Sequence, residues 1–219
     1  IHLYAGRHYG YFVDELYYLA CAEHLDWGYV DQPPLIALIA KAARVLLGDS
    51  LPAIRLLPAL AGAAQVLLTG LVAREMGGQR FAQGLAALSV LVAPGILAAS
   101  NWLSMNAFEP LFWIGCAYVA IRIIKTENPK LWVWFGLLAG IGLQNKHSMF
   151  MFGFAVVAGL ASTSERRCLR TRWLWVAGLV AFLIFLPNLL WNIRHSFPFL
   201  ELQANIRASG RNIPLPPLA

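Results

Sequence analysis

Charge is scarce in this sequence. Only 13% of its 219 residues are Asp, Glu, Lys or Arg, about half the share of a soluble domain, and 59% are hydrophobic. That balance excludes an ordinary water-soluble fold, and a mean hydropathy of +0.60 points to lipid as the solvent. Cysteine is also rare. Cys21, Cys116 and Cys168 are scattered without paired spacing, which argues against a disulfide framework or a zinc cluster. No basic stretch leads into an apolar core at the start, so no signal peptide is read. No repeat or low-complexity tract is visible. The sequence opens on Ile1 and stops in the proline-rich "NIPLPPLA", so both ends are expected to be cuts in a longer protein.

What is present fits that solvent. Twelve Phe, eight Trp and seven Tyr suit aromatic belts at two membrane interfaces. From Arg55 onward come six apolar runs, at 56–73, 81–99, 107–124, 131–143, 149–161 and 173–191. Four approach the roughly 20 residues of a spanning helix, while the two flanking Lys146 are shorter. Gly136 and Gly140 form a GxxxG that reads as close helix packing before it reads as a dimer motif.

The net charge of +6 does not suggest a nucleic-acid partner, because most basic residues lie in short loops between the runs. With six crossings, one set of loops holds Arg74, Arg80, Arg122, Lys125, Lys130, Arg166, Arg167, Arg170 and Arg172; the other holds only Lys146. The positive-inside rule puts the first set in the cytoplasm. The expected organisation is an external first loop over 1–55, six spans over 56–191 and the start of another external loop over 192–219. Within the first loop, "DELYYLACAEHL" reads as a short helix with Asp14 near its N-cap. "PPLIALIAKAARVLLG" reads as an interfacial helix running from its prolines to Gly48.

One face then collects Asp14, Glu15, Asp31, Gln32, Asn106, Glu109, Lys146, His147, Arg194 and His195. Carboxylates serve as bases, and cations hold phosphate. Together, beside lipid, they suit attack by an acceptor hydroxyl on the sugar carbon of a lipid-linked phosphate, with the phosphate leaving. Blander roles exist for each: Asp14 and Asp31 as helix caps, Lys146 and His147 as snorkelling loop residues, Arg194 and His195 as interfacial anchors. His2, His8 and His24 lack metal-ligand spacing. A transporter or lipid flippase is the main alternative, but it would place ionisable groups near mid-span.

The segments "GYFVDELYYLACAEHLDWGYVDQPPLIAL", "RLLPALAGA", "SMNAFEPLFW", "GLQNKHSMF" and "FLPNLLWNIRHSFPF" resemble the membrane glycosyltransferases that use polyprenyl-phosphate sugars. Those include protein O-mannosyltransferases and lipid A aminoarabinose transferases. The resemblance implies an all-α, multi-span GT-C bundle in a bacterial inner membrane, with an inverting transfer on the periplasmic side. Its partners would be a polyprenyl-phosphate sugar and a glycan, lipid or protein acceptor. It also implies Asp14 as catalytic base with Glu15 in support. Gln32, Asn106, Glu109, Lys146, His147 and Arg194 would bind substrate. Gln32 stands where relatives often carry His, and Asn106 where many carry Asp, with Glu109 one turn later. Relatives differ in using a divalent cation, so the resemblance leaves metal use open.

Overall fold

The computed structural model describes Tyr4 and residues 10–210; His2, His8 and the 212–219 tail lie outside them. The described residues are helical, with no strand among them. Two short helices come first, α1 (Val13–Glu23) and α2 (Leu35–Leu47). Then follow α3 (Leu51–Glu75), α4 (Arg80–Val92), α5 (Pro94–Ala99), α6 (Met105–Thr126), α7 (Trp132–Asn145), α8 (Met149–Ala161), α9 (Arg172–Arg194) and α10 (Pro198–Ala208). Three of them, α3, α6 and α9, are long and apolar enough to cross a membrane. The second apolar run divides into α4 and α5 at Ala93, where the extended backbone precedes Pro94.

The helices pack in the order α4–α3–α6–α7–α9, with α1 and α2 laid against the head of α3. Two cores form. Tyr18, Ala22, Ile36 and Ala40 of the first loop join Ile54, Ala61, Leu103, Ala107 and Phe108 at one end. Cys116, Trp132, Phe135, Leu143, Ala177 and Phe185 belong to the second, between α6, α7 and α9. Large side chains such as Phe81, Leu67, Met151, Phe154 and Trp175 face outward at 70% exposure or more. Such a surface is costly in water and neutral in lipid, so this is a helical membrane protein.

Gly136 and Gly140 act within the chain. A Cβ at Gly136 would sit 2.4 Å from the Ala177 carbonyl oxygen, and one at Gly140 would sit 2.9 Å from the Ile184 Cβ. The missing side chains let α7 and α9 approach closely. Because the clash at Gly136 is with backbone, which cannot swing aside, Gly136→Ala should destabilise the protein by about 1–3 kcal/mol. A thermal-unfolding series in detergent measures this.

Two local features add detail to the expected organisation. The N-cap of α1 is Phe12, which puts Asp14 in the first turn, and the capping bond comes from Glu15, whose Oε2 accepts from the Phe12 N–H at 2.9 Å. The stretch after Arg194, expected to begin a further external loop, contains α10. Ser196 and Phe197 take left-handed backbone at φ 56° and 54°, and Pro198 then occupies the first helical turn, where its missing N–H costs nothing.

Candidate functional site

The site begins at Glu15, which is fully buried. Its carboxylate receives the Arg55 guanidinium in a two-point contact, with Nε to Oε1 at 2.9 Å and NH2 to Oε2 at 2.6 Å. The Phe12 N–H donates to Oε2 at 2.9 Å, and the Leu103 N–H to Oε1 at 3.0 Å. Arg55 also donates to the Gly10 carbonyl at 2.8 Å. Burial pushes the Glu15 carboxyl upward, but the hydrogen bonds from Arg55, Phe12 and Leu103 outweigh it and hold the group below the usual carboxylate range. A carboxylate so engaged does not collect a proton from a substrate. Glu15 holds the first loop, the head of α3 and residue 103 in one arrangement.

Asp14 is the opposite case. One residue earlier on the same turn, it is exposed. Its charge and that of Asp31 act on the buried Tyr18 phenol, whose ionisation is disfavoured first by burial and then by those two carboxylates. Asp31 accepts from the Tyr17 hydroxyl at 2.7 Å. Phe12 stacks on Trp102 at 4.7 Å between ring centroids, so an aromatic surface flanks the turn.

The "QNKHS" segment, 144–148, is a junction in which every side chain reaches a neighbouring helix. Gln144 donates to the Ile184 carbonyl of α9 at 2.5 Å. Asn145 donates to the Met105 carbonyl of α6 at 2.9 Å. Lys146 Nζ reaches Asn106 Oδ1 at 2.9 Å and Glu109 Oε2 at 2.8 Å, while Ser148 donates to the other oxygen of Glu109. His147 Nε2 lies 3.1 Å from Asn188 Oδ1, and Asn188 donates to the Trp27 carbonyl at 2.7 Å.

These bonds connect most of the residues expected at the site. Leu103, just before α6, and Asn106, in its first turn, link the Glu15–Arg55 pair to Lys146 and Glu109. Asn188 ties His147 to the first loop. Gly28 lets that loop sit under α9, since a Cβ there would meet the Trp191 ring at 2.4 Å, and Trp191 Nε1 donates to Asp26 at 2.8 Å. Arg194 lies further out, exposed, beside Asp26, Trp27, Trp191 and His195 at a cavity of about 420 Å³.

Gln32 does not share in this. It is 2% exposed, and its amide nitrogen points to Cys21 Sγ at 3.8 Å, so its side chain is part of the loop's interior. Sequence reasoning missed Arg55, Gln144, Asn145, Ser148 and Asn188. The signal for Arg55 was available: a charge at the head of an apolar run needs a partner.

Among the described residues no three His, Cys, Asp or Glu side chains gather as metal ligands. The chemistry below uses side chains alone.

Residues 31–191 match the model of the dolichyl-phosphate-mannose-protein mannosyltransferase family. Over 188 residues the chain is 30% identical to the lipid A galacturonosyltransferase RgtD of Rhizobium johnstonii. That match covers 84% of this chain and 39% of the relative, so the chain spans about two-fifths of the relative's length. No solved structure matches. The matched span begins at Asp31 and ends at Trp191, taking in the junction at 144–148, Asn188 and the whole of α3 to α8. This chain belongs to the dolichyl-phosphate-mannose-protein mannosyltransferase family of membrane glycosyltransferases, with a GT-C-type helical bundle.

Proposed function

We propose that the protein transfers a sugar from a polyprenyl phosphate to an acceptor hydroxyl on the periplasmic side of a bacterial inner membrane, with inversion at the anomeric carbon. The observation that carries this is the pairing at 14 and 15: an exposed carboxylate on a turn pinned by a buried one. Asp14 takes the proton of the acceptor hydroxyl as its oxygen attacks the sugar carbon. The bond from that carbon to the phosphate oxygen breaks, and the polyprenyl phosphate leaves with the electron pair. Phosphate is a good leaving group, so no general acid is needed.

Lys146 is the cation placed for the leaving phosphate. Its ammonium has three N–H donors; Asn106 and Glu109 take two, and the third is left for a phosphate oxygen. Asn106 and Glu109 thus aim Lys146, and His147 braces the same segment against α9. Arg194, with no partner among the described residues, is a second cation for the phosphate at the outer end of α9. With six crossings and the loops at 76–79, 127–131 and 162–171 in the cytoplasm, as the flanking basic residues favour, all these groups face the periplasm.

Transfer from a radiolabelled polyprenyl-phosphate sugar, assayed with the full-length chain in detergent, tests the reading. Lys146→Met should weaken donor binding by roughly 10–100-fold, the loss of one hydrogen bond to a charged group, seen chiefly as a raised KM. No transfer from any polyprenyl-phosphate sugar by a folded wild-type protein would overturn the proposal.

A further inference from the structure

A groove runs between α8 and α9 over the flank of α7, and none of the residues assigned to the transfer reaction lines it. Its volume is about 780 Å³, within the roughly 300–1,000 Å³ of small-molecule sites. The lining contains no charged side chain, hydroxyl or amide group. Along α9 the groove extends from Leu174 to Leu189, about 22 Å at the helical rise. The hydrocarbon of one leaflet is about 15 Å deep, half of the bilayer core, so an acyl chain fits within that length. Gly153 on α8 and Gly178 on α9 both line the groove, and a Cβ at either would meet nothing within 4 Å. Their missing side chains widen the space, whereas those of Gly136 and Gly140 let two helices touch.

Its two mouths differ in charge. Beside Leu143 and Met149, Lys146 is turned to Asn106 and Glu109 on α6, and His147 to Asn188. At the far mouth, the lining residues Leu169 and Leu174 flank Arg170 and Arg172 in sequence, and both arginines are exposed. The segments at that end, 74–80, 122–130 and 165–172, carry nine basic and three acidic residues, a net charge of +6. All three acids are paired: Glu75 with Arg122 and Lys125, and Glu127 and Glu165 with Arg167. Lys130, Arg166, Arg170 and Arg172 make no ion pair among the described residues. Arg172 also opens α9, where a cation meets the positive end of the helix dipole. An anion bound there offsets both charges.

We infer that the groove holds an anionic phospholipid of the phosphatidylglycerol class, taken from the leaflet at that end. Its phosphate accepts hydrogen bonds from the Arg170 and Arg172 guanidinium groups, and one acyl chain lies between α8 and α9. An apolar chain gains nothing over bulk lipid by entering an apolar groove. The phosphate therefore supplies the preference, and the groove fixes where the lipid sits. A head group bearing an ammonium would bring a positive charge among Lys130, Arg166, Arg170 and Arg172, with every carboxylate of those segments already paired.

The test is native mass spectrometry of the full-length protein in detergent, titrated with dioleoyl phosphatidylglycerol, phosphatidylethanolamine or phosphatidylcholine. The glycerol lipid should bind at least about tenfold more tightly than the other two, the effect of one hydrogen bond to a charged group. Arg170→Gln with Arg172→Gln should remove that preference, and the fold should survive because neither side chain has an ion pair to lose. Gly153→Leu with Gly178→Leu fills the groove where a side chain has room, so thermal stability should hold while binding of all three lipids is lost. Equal binding of the three lipids, or a preference unchanged in the arginine variant, would overturn the inference. So would unchanged binding by the folded glycine variant, since the chain would then lie elsewhere. No lipid bound by the full-length protein would also overturn it, as another segment would then cover the groove. The same holds if water-soluble glycerol phosphate binds as tightly as the lipid, because the source would then not be the membrane.

Discussion

Asp14→Asn is expected to reduce sugar transfer by roughly 10²–10⁴-fold, the usual contribution of a general base, while leaving thermal stability within about 0.5 kcal/mol of wild type. The two halves of that result come from one geometry. Asp14 is exposed, and no hydrogen bond or ion pair to another described residue holds its carboxylate. Asparagine keeps its shape and its place in the first turn of α1, so the fold loses little. What disappears is the ability to accept a proton at the start of attack. The loss should fall on kcat, with donor KM near wild type, because Lys146 and not Asp14 contacts the phosphate in the proposed arrangement. Single-turnover kinetics with the donor prebound separate the two. Wild-type turnover by the folded variant would remove Asp14 from the mechanism.

Glu15→Gln, one residue along, should behave in the reverse order: the fold fails first. Its partner Arg55 is 4% exposed and Glu15 is fully buried, so removing the negative charge takes from a buried guanidinium the carboxylate that it contacts at two points. Such a loss costs about 3–5 kcal/mol. Activity should fall with stability, since Phe12 and Leu103 lose a full acceptor and the turn that carries Asp14 loses its anchor. Arg55→Met added to Glu15→Gln should recover part of the stability, because replacing both members of a buried pair is far less damaging than removing one. Recovery is incomplete, as one amide oxygen must serve the two N–H groups that a carboxylate served before.

The same pair sets a pH dependence with a definite sign. The Glu15 carboxyl is held below its ordinary value of 4.5 in the folded protein, so the unfolded chain binds its proton more readily. Its contribution to stability is fully present above pH 4.5 and is lost as pH falls through the lower folded value. Wild-type protein should therefore lose stability in that acid range. The Glu15→Gln, Arg55→Met double variant should lack that component of the acid sensitivity. Thermal unfolding from pH 6 downward compares them.

How much of this was legible beforehand differs by level. The lipid environment followed from 13% charge and the apolar runs, because hydropathy over a span-length window is a local property. The short helices α1 and α2 followed from an acidic N-terminal signal in the first and from proline, glycine and apolar spacing in the second, which are local as well. The acidic pair was visible, and the ordered set of segments carried the family.

The division of labour within the pair was not visible. Adjacent residues on a helical turn point about 100° apart, so one faces the core and the other the outside. Only the packing of α1 against α3 and residue 103 decides which. Likewise "QNKHS" offered a lysine and a histidine as candidates, yet three of its other side chains bridge helices too. Their partners lie 39 or 40 residues away in sequence, and no local pattern contains a contact at that distance.

Sequence alone thus determined the solvent, the helical class, the family resemblance and the segments that carry the candidate site residues. Those rest on composition and short-range spacing. Tertiary structure decided that Glu15 is buried against Arg55 while Asp14 stays exposed, that Lys146 is held by Asn106 and Glu109, and that Gln32 lies in the interior. Each of these depends on which helix faces which, and that is fixed by close packing across the bundle rather than by neighbours along the chain.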